Sequence, residues 1–491
     1  MPGSAGDDRR LRRDLAQAAG VLRGASSVRV VTHIDADGIS AGAIADMTLE
    51  RMGVEHSVGF EKKITGEVVE SVNSSPEDVV WICDLGSGYL SMFDREGVVV
   101  TDHHVPDPKW AGRQTTLDAY GSIQHLNPHT YGMDGSYEVC GAGMTYLLSR
   151  EIDPANADLA HLAVVGAVGD FQDASNRRLV SLNRSIMEDA VAAGDLAVEE
   201  DLRYFGRDTR PVNQYLQYSS DPGIPGVSDN PDGCLRLLDS LGIPAKEGCR
   251  WRSWSDLDAD ERSRATDAIR ELLGDAWESA HGEMYRITRY GRKTGISDAK
   301  EFATVLNSCG RYDDAASGLR VCRGDVSALE VAARNRAEHR KHISAALSYV
   351  RDNHLIRERR FIQWFDAGSE IRETVVGIVA GMLLSSPECR RDIPVIAFAE
   401  SDDGTKVSAR ASRGLVGRGL DLSSVMKTAA EFVGGYGGGH TVAAGATIPS
   451  DRKEEFLNAV EDLVASQITR RPLIAPDSTY FKYGASDSHP R

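Results

Sequence analysis

Lysine is scarce in this chain. Lys and Arg together make 56 of 491 residues, and only 11 of these are lysine, which leaves 45 arginines. Asp and Glu number 73, so the net charge is −17. That balance argues against a protein that holds nucleic acid by a broad basic field, the usual electrostatic footprint of that class. Acid excess with little lysine suggests a halophilic, GC-rich source. In high salt the counterion-release part of polyanion binding is weak. A nucleic-acid enzyme of this composition has to lean on metal ions, bidentate arginines and base stacking.

Cysteine is also sparse. The seven cysteines are odd in number and scattered, with no Cys-x-x-Cys, which excludes a disulfide framework and a thiolate metal site. They read as reduced thiols of a cytoplasmic protein. No apolar stretch reaches about 18 residues, so no membrane span is expected. Residues 1–24 are polar and arginine-bearing, unlike a secretory signal. The length is too great for one core and implies two or three domains.

What the chain does have is a set of apolar runs that stop on acidic or imidazole residues. Val98-Val99-Val100 is short, β-branched and uninterrupted, as a buried strand would be, and it ends on Thr101-Asp102-His103-His104. The run 28–32 leads into His33-Ile34-Asp35-Ala36-Asp37-Gly38, and the run 79–83 into Asp84. A fourth run, 162–169, reads as a helix or its end and hands over Asp170. Any one of these is as readily a hydrated turn. Together they deliver carboxylates and imidazoles to the carboxyl edge of an open α/β sheet, where such folds place their sites. The donor set suffices for two divalent metal ions, and oxygen with some imidazole suits Mn²⁺ or Mg²⁺.

Between these runs, helices are expected at 39–52 and 64–73 and a strand at 56–60, which predicts a mostly parallel sheet covered by helices. An amphipathic helix over 7–24 precedes them. The stretch 105–140 is loop-rich. In it His125 and His129 read as surface or hydrogen-bonded histidines, and Ser136 and Gly141 as turn residues or phosphate contacts. A helix over 155–171 should carry Asp170, with Gln172 and Asp173 behind it, and 181–200 reads as helical. Arg203 to Arg210, with Tyr215 and Tyr218, interleaves arginine and aromatics; a nucleic-acid track and a structural linker explain it equally well. From residue 361 a second α/β unit is expected. Its strand 405–411 puts Ser408 and Arg410 on one face, and the glycine run 434–439 bares backbone N–H groups.

In this order the motifs resemble those of the DHH phosphoesterase superfamily: Asp-x-Asp-Gly at 35–38, a lone Asp84 after a strand, Asp-His-His at 102–104 and Gly-Asp at 169–170. Gly434-Gly435-Tyr436-Gly437-Gly438-Gly439-His440 looks like the signature of the accompanying DHHA1 domain. Within the superfamily the chain is most similar to archaeal RecJ-like single-strand exonucleases, over about residues 25–190 and 300–470. The resemblance implies a metal-binding DHH domain at 1–190, a largely helical connecting region at 191–355, a smaller α/β DHHA1 domain at 356–470 and a tail at 471–491.

It also implies a two-metal hydrolysis of phosphodiesters. Asp84 would bridge the ions, with Asp35 on one and Asp37, His103 and Asp170 on the other. His104 would face the scissile phosphate and Asp102 would orient an imidazole. Ser408, Arg410, Gly437, Gly438, Gly439, His440 and Arg311 would meet the substrate's backbone, with the DHHA1 domain closing over a single strand. The chain departs from the family pattern in one place. Many members carry a histidine four residues before the first aspartate; here that position is Val31, and His33 is the nearest candidate ligand. The expected partners are single-stranded DNA or RNA and replication-fork proteins, in replication or repair. Two other readings stay open: a small-substrate phosphoesterase acting on oligoribonucleotides, cyclic dinucleotides or nucleoside bisphosphates, and a replisome scaffold with reduced activity.

Overall fold

A computed structural model of the chain describes residues 5–109 and 123–469. The expected tail at 471–491 and part of the loop-rich stretch 105–140 lie outside the described residues. The chain divides into two compact units, the first ending at Glu338 and the second beginning at His339.

The first unit is built on five strands: β1 (Ser27–His33), β2 (Glu55–Glu61), β3 (Val79–Cys83), β4 (Val98–Thr101) and β5 (Ile123–Leu126). They are all parallel, in the order β2-β1-β3-β4-β5. The apolar runs form central strands because both faces are covered. Val30, Trp81 and Val99 go into one buried cluster, and Val31, Val80, Ile82, Val98 and Val100 into another on the opposite face. The helices that precede, interleave with and directly follow these strands are α1 (Ala5–Gly24), α2 (Ala36–Met52), α3 (Gly66–Asn73), α4 (Gly141–Ile152), α5 (Ala160–Gly169) and α6 (Ser181–Ala192).

Two expectations need correction here. The helix foreseen over 155–171 is a 3₁₀ turn, Pro154–Leu159, followed by α5, so Asp170 caps the helix instead of lying within it. Residues 196–200, expected as helix, belong to a strand, Leu196–Leu202, paired antiparallel with His281–Ile287. This ribbon brackets the segment between. That segment is helical, with helices Val212–Gln217, Pro231–Ser240 and Ala259–Leu273 around its own core of Tyr204, Tyr215, Trp254 and Trp277.

The second unit holds a six-stranded mixed sheet. Strand Gln363–Asp366 runs parallel to Val395–Ser401, and the pairs that follow, through Gly404–Arg410 and Ala443–Ile448 to Tyr436–Gly439, are antiparallel. Among the described residues no helix is long and apolar enough to cross a membrane.

Candidate metal centre

The strand order β2-β1-β3-β4-β5 reverses direction between β1 and β3. Open α/β sheets bind ligands outside the carboxyl ends of their strands at such a switch point. The chain leaving β1 carries His33, Asp35 and Asp37. The chain leaving β3 carries Asp84, and the chain leaving β4 carries Asp102, His103 and His104. The end of α5 brings Asp170 to the same place.

Three overlapping triads result, each with ligand atoms within 4.8 Å of one another: His33–Asp35–Asp84, Asp84–His103–His104 and Asp37–His103–Asp170. His103 Nε2 lies 3.3 Å from Asp84 Oδ1, 3.3 Å from Asp170 Oδ2 and 3.8 Å from Asp37 Oδ2. His33 Nδ1 lies 2.9 Å from Asp35 Oδ2 and 3.5 Å from Asp84 Oδ2, so the displaced histidine does reach the cluster. His33 Nδ1, His103 Nε2 and Asp84 Oδ1 are buried without a hydrogen-bond partner among the described residues. Orphaned, converging donors of this kind are what a divalent cation satisfies, and buried polar atoms otherwise find partners.

The electrostatics point the same way. Burial, then the charges of Asp84 and Asp170, push the Asp37 carboxyl well up. Burial, with Asp35 beside it, takes Asp170 up to about 7. Burial opposes charge on His33 and His103, but the carboxylates around them outweigh it and raise both imidazoles. Crowded acids that hold protons against one another are ready to exchange them for a dication.

Each candidate ligand is held from behind. Asp35 is the N-cap of α2, accepting from Gly38 N–H at 2.9 Å. Asp37 accepts from the first N–H groups of α4, Gly141 at 2.7 Å and Ala142 at 3.0 Å. The Gly141 amide is therefore spent on Asp37, not offered to a phosphate. His103 Nδ1 donates to Gly135 O at 2.7 Å, which leaves Nε2 for the cluster. Gln172 Nε2 donates to the same carbonyl at 2.8 Å and its Oε1 accepts from Asn183. Asp102 is buried and accepts from His104 Nδ1 at 2.8 Å, from the His103 N–H at 2.7 Å and from Ser87 N–H at 2.8 Å. Burial opposes the Asp102 charge, but the His104 imidazole and these donors hold its carboxyl far below the usual range. His104 itself is half exposed.

The remaining candidates fall out plainly. His125 is buried and bonded to Ser87 Oγ at 2.9 Å, and His129 is exposed. Ser136 is an exposed turn residue. Asp173 pairs with Arg203 inside the protein. Arg207 likewise pairs with Glu199 and Asp201, and Tyr204 and Tyr215 are core. The structural reading of that stretch therefore wins for most of its residues. Arg311 ends the helix Ala299–Arg311 and interacts with Asp35. One residue of that helix was given no role from the sequence: Asn307 accepts from Ala36 N–H at 3.0 Å and so steadies the start of α2.

Ser408, Arg410 and the glycine run belong to the second unit. Ser408 and Arg410 do share a face, both beside Gly377 of helix Glu373–Leu384. The run is not a loop: Tyr436–Gly439 is an edge strand, so one side of its backbone pairs with Ala443–Ile448. Ser408, Gly445 and Gly438 stand in register across three adjacent strands, which leaves a strip of bare backbone beside the serine hydroxyl. His440 follows in the turn, its N–H donating to Ala443 O at 2.8 Å.

The DHH-CID domain model matches residues 204–277, the bracketed segment, and the DHHA1 domain model matches 360–466. An uncharacterised protein of Methanocaldococcus jannaschii is 29% identical over 450 residues, covering 90% of this chain and 94% of its own. The single-stranded-DNA-specific exonuclease RecJ of Dickeya dadantii is 27% identical over 485 residues, covering 93% of this chain and 70% of its own. In fold the chain is similar to CDC45 of Entamoeba histolytica, with a TM-score of 0.61 at 12% identity over 93% of this chain and 98% of that one. It is also similar to the Mn²⁺ complex of Thermus thermophilus RecJ, with a TM-score of 0.56 at 18% identity over 95% of this chain, although it spans only 55% of that protein's length. With the DHH-CID and DHHA1 models matched and RecJ similarity along nearly the whole chain, the protein carries domains of the DHH/DHHA1 phosphoesterase superfamily and is RecJ-like in sequence.

Proposed function

We propose that this protein is a single-strand-specific exonuclease that hydrolyses phosphodiesters with two divalent metal ions. The observation that carries the reading is the shared residue: Asp84 belongs to the triad with His33 and Asp35 and to the triad with His103 and His104, while His103 also joins Asp37 and Asp170. A carboxylate common to neighbouring sites is what two mutually repelling dications need between them. In this assignment His33 and Asp35 would hold one ion, Asp37, His103 and Asp170 would hold the other, and Asp84 would serve both. Such a pair supplies an activated water and charge neutralisation on the phosphoryl group.

The chain's own residues do the rest. Asp102 fixes the His104 ring through Nδ1 and favours its protonated form, so Nε2–H donates to a non-bridging phosphate oxygen. Arg311, alongside Asp35, meets the next phosphate. Ser408, Arg410, Gly437, Gly438, Gly439 and His440 hold the strand's backbone, through contacts that position without reading sequence. The similarity to a single-stranded-DNA-specific exonuclease over most of the chain supports the choice of substrate.

The test is a time course with Mn²⁺ or Mg²⁺, in molar and in low KCl, on end-labelled single-stranded DNA and RNA, with a dinucleotide and a cyclic dinucleotide alongside. Stepwise release of mononucleotides from the strands, abolished in Asp84→Ala, is the expected result. Cleavage of the short substrates alone would reassign the protein to small-substrate hydrolysis. No cleavage at all would leave it a scaffold.

A further inference from the structure

Phe171 follows Asp170 directly, and its backbone is in the left-handed region with φ 58°. The local pattern is a helix stop. Phe171 N–H donates to Val168 O at 3.1 Å and Gln172 N–H to Ala167 O at 3.0 Å, the paired bonds that close an α-helix. The left-handed position in such a stop normally takes glycine, because a β-carbon crowds the backbone there. For a bulky residue it is a true outlier. Strain of this kind is commonly offset by burying the side chain. Here Phe171 is 76% exposed, so its ring recovers little packing. Gln172, the next residue, is buried and bonds the carbonyl that also holds His103. The chain is thus fixed on both sides of a strained aromatic whose ring stands in solvent, one residue from a ligand of the cluster. Val105, directly after His104 in sequence, is another large apolar side chain left 74% exposed.

We infer that Phe171 is a stacking platform for a nucleobase of the single strand, next to the phosphate being cut. The inference rests on the nucleic-acid reading above. Stacking suits a nuclease without sequence preference, since every base has a π-face. It also suits a chain of net charge −17, because a ring–base contact involves no counterion release and survives high salt.

Glycine at this position gives the test its sign. Phe171→Gly removes the ring and relieves the backbone, so thermal stability should hold or rise by about 1–3 °C while strand binding weakens. KM for an oligothymidylate should rise by about tenfold or more, with Mn²⁺ affinity by calorimetry unchanged. An oligothymidylate with an abasic terminal nucleotide should cost the wild type a similar factor and cost Phe171→Gly little more, because both remove one contact. Phe171→Trp should keep KM, and its added indole fluorescence should be quenched by the strand in EDTA.

If Phe171→Gly is more stable yet binds and cuts the intact strand as the wild type does, the residue is only a helix stop and the inference falls. A parallel loss of Mn²⁺ affinity would assign Phe171 to placing Asp170 and overturn it too. If the wild type itself cuts no strand, the nucleic-acid reading fails first; a wild type that cuts, beside an unaffected Phe171→Gly, removes the stacking inference alone.

Discussion

Gly166 faces Asp37 so closely that a methyl group in place of its hydrogen would lie 2.3 Å from Asp37 Oδ1 and 2.8 Å from the Ala142 β-carbon. Neither neighbour is free to yield, because Asp37 is clamped by two amides of α4 and Ala142 is part of that helix. Gly166→Ala is therefore expected to displace a ligand without touching one. Mn²⁺ affinity should drop by about 10–100-fold, as for other groups that orient a ligand. Overpacking should also cost about 1–3 kcal/mol of stability. Titration calorimetry reads the first and chemical denaturation the second; an unchanged isotherm would contradict the crowding.

The acids of the cluster destabilise the metal-free protein. Burial and then Asp35 take Asp170 up to about 7 in the folded state, above the value of an exposed carboxyl. A raised acid binds its proton more tightly when folded, so its stabilising effect is complete at low pH and fades as pH rises through about 7. At pH 8 in EDTA, Asp170→Asn should melt about 2–4 °C above the wild type. With Mn²⁺ the order should reverse, since the variant has lost a ligand and gains less from the ion. A melting series with and without Mn²⁺ decides it, and a lower melting point for Asp170→Asn in EDTA would count against mutual repulsion.

His161 predicts a slope in acid. It is fully buried on α5, with Nδ1 2.8 Å from Asp158 O. Burial, then Arg289, takes its pKa down to about 4. The unfolded chain takes up the proton first, near the ordinary value of about 6.5. Stability should thus fall between pH 6.5 and pH 4, by about 3 kcal/mol for a shift of this size, and flatten below. His161→Leu should lose that part of the slope. Urea unfolding at several pH values compares the two, and parallel curves would refute the assignment.

Asn307 should matter more to turnover than to folding. Its side chain accepts from Ala36 N–H, between the two aspartates of the β1–α2 connection. Asn307→Leu leaves that N–H without its acceptor, at a cost of about 1–2 kcal/mol. It should lower kcat severalfold while KM for a strand changes little, because the substrate contacts are elsewhere. Equal losses in both constants would place Asn307 at the substrate instead.

The strand ends were legible because buried parallel strands read as unbroken apolar runs, and a polar residue at the end of such a run has to surface somewhere. That is why Asp35, Asp84 and His103 could be picked out from the chain alone. His33 was legible as the nearest candidate ligand, but not whether it reaches the cluster, since that depends on how the chain turns after β1. No role could be read for Gly166, Gly135 or Asn307: each acts by approaching a residue far away in sequence, and nothing local reveals that contact. The interleaved arginines and aromatics at 203–218 were ambiguous for a related reason. Whether Arg203 and Arg207 meet phosphates or protein depends on Asp173, Glu199 and Asp201, which the fold brings to them. The glycine run was read for its missing side chains. Its strand geometry follows from pairing with Ala443–Ile448, a partner outside the run.

The antiparallel ribbon of Leu196–Leu202 and His281–Ile287 has a further consequence. Arg203 N–H donates to Ala280 O at 2.8 Å, so the segment between leaves and rejoins the domain at a single point. To its host such a segment is no longer than a tight hairpin, whatever its content. It can grow, shrink or be exchanged over evolutionary time without shifting a strand of the parallel sheet. The parallel-sheet scaffold and the appended module are thereby free to diverge at different rates, tied only where the segment meets its host, as Arg203 does Asp173 and Asp208 does Glu301.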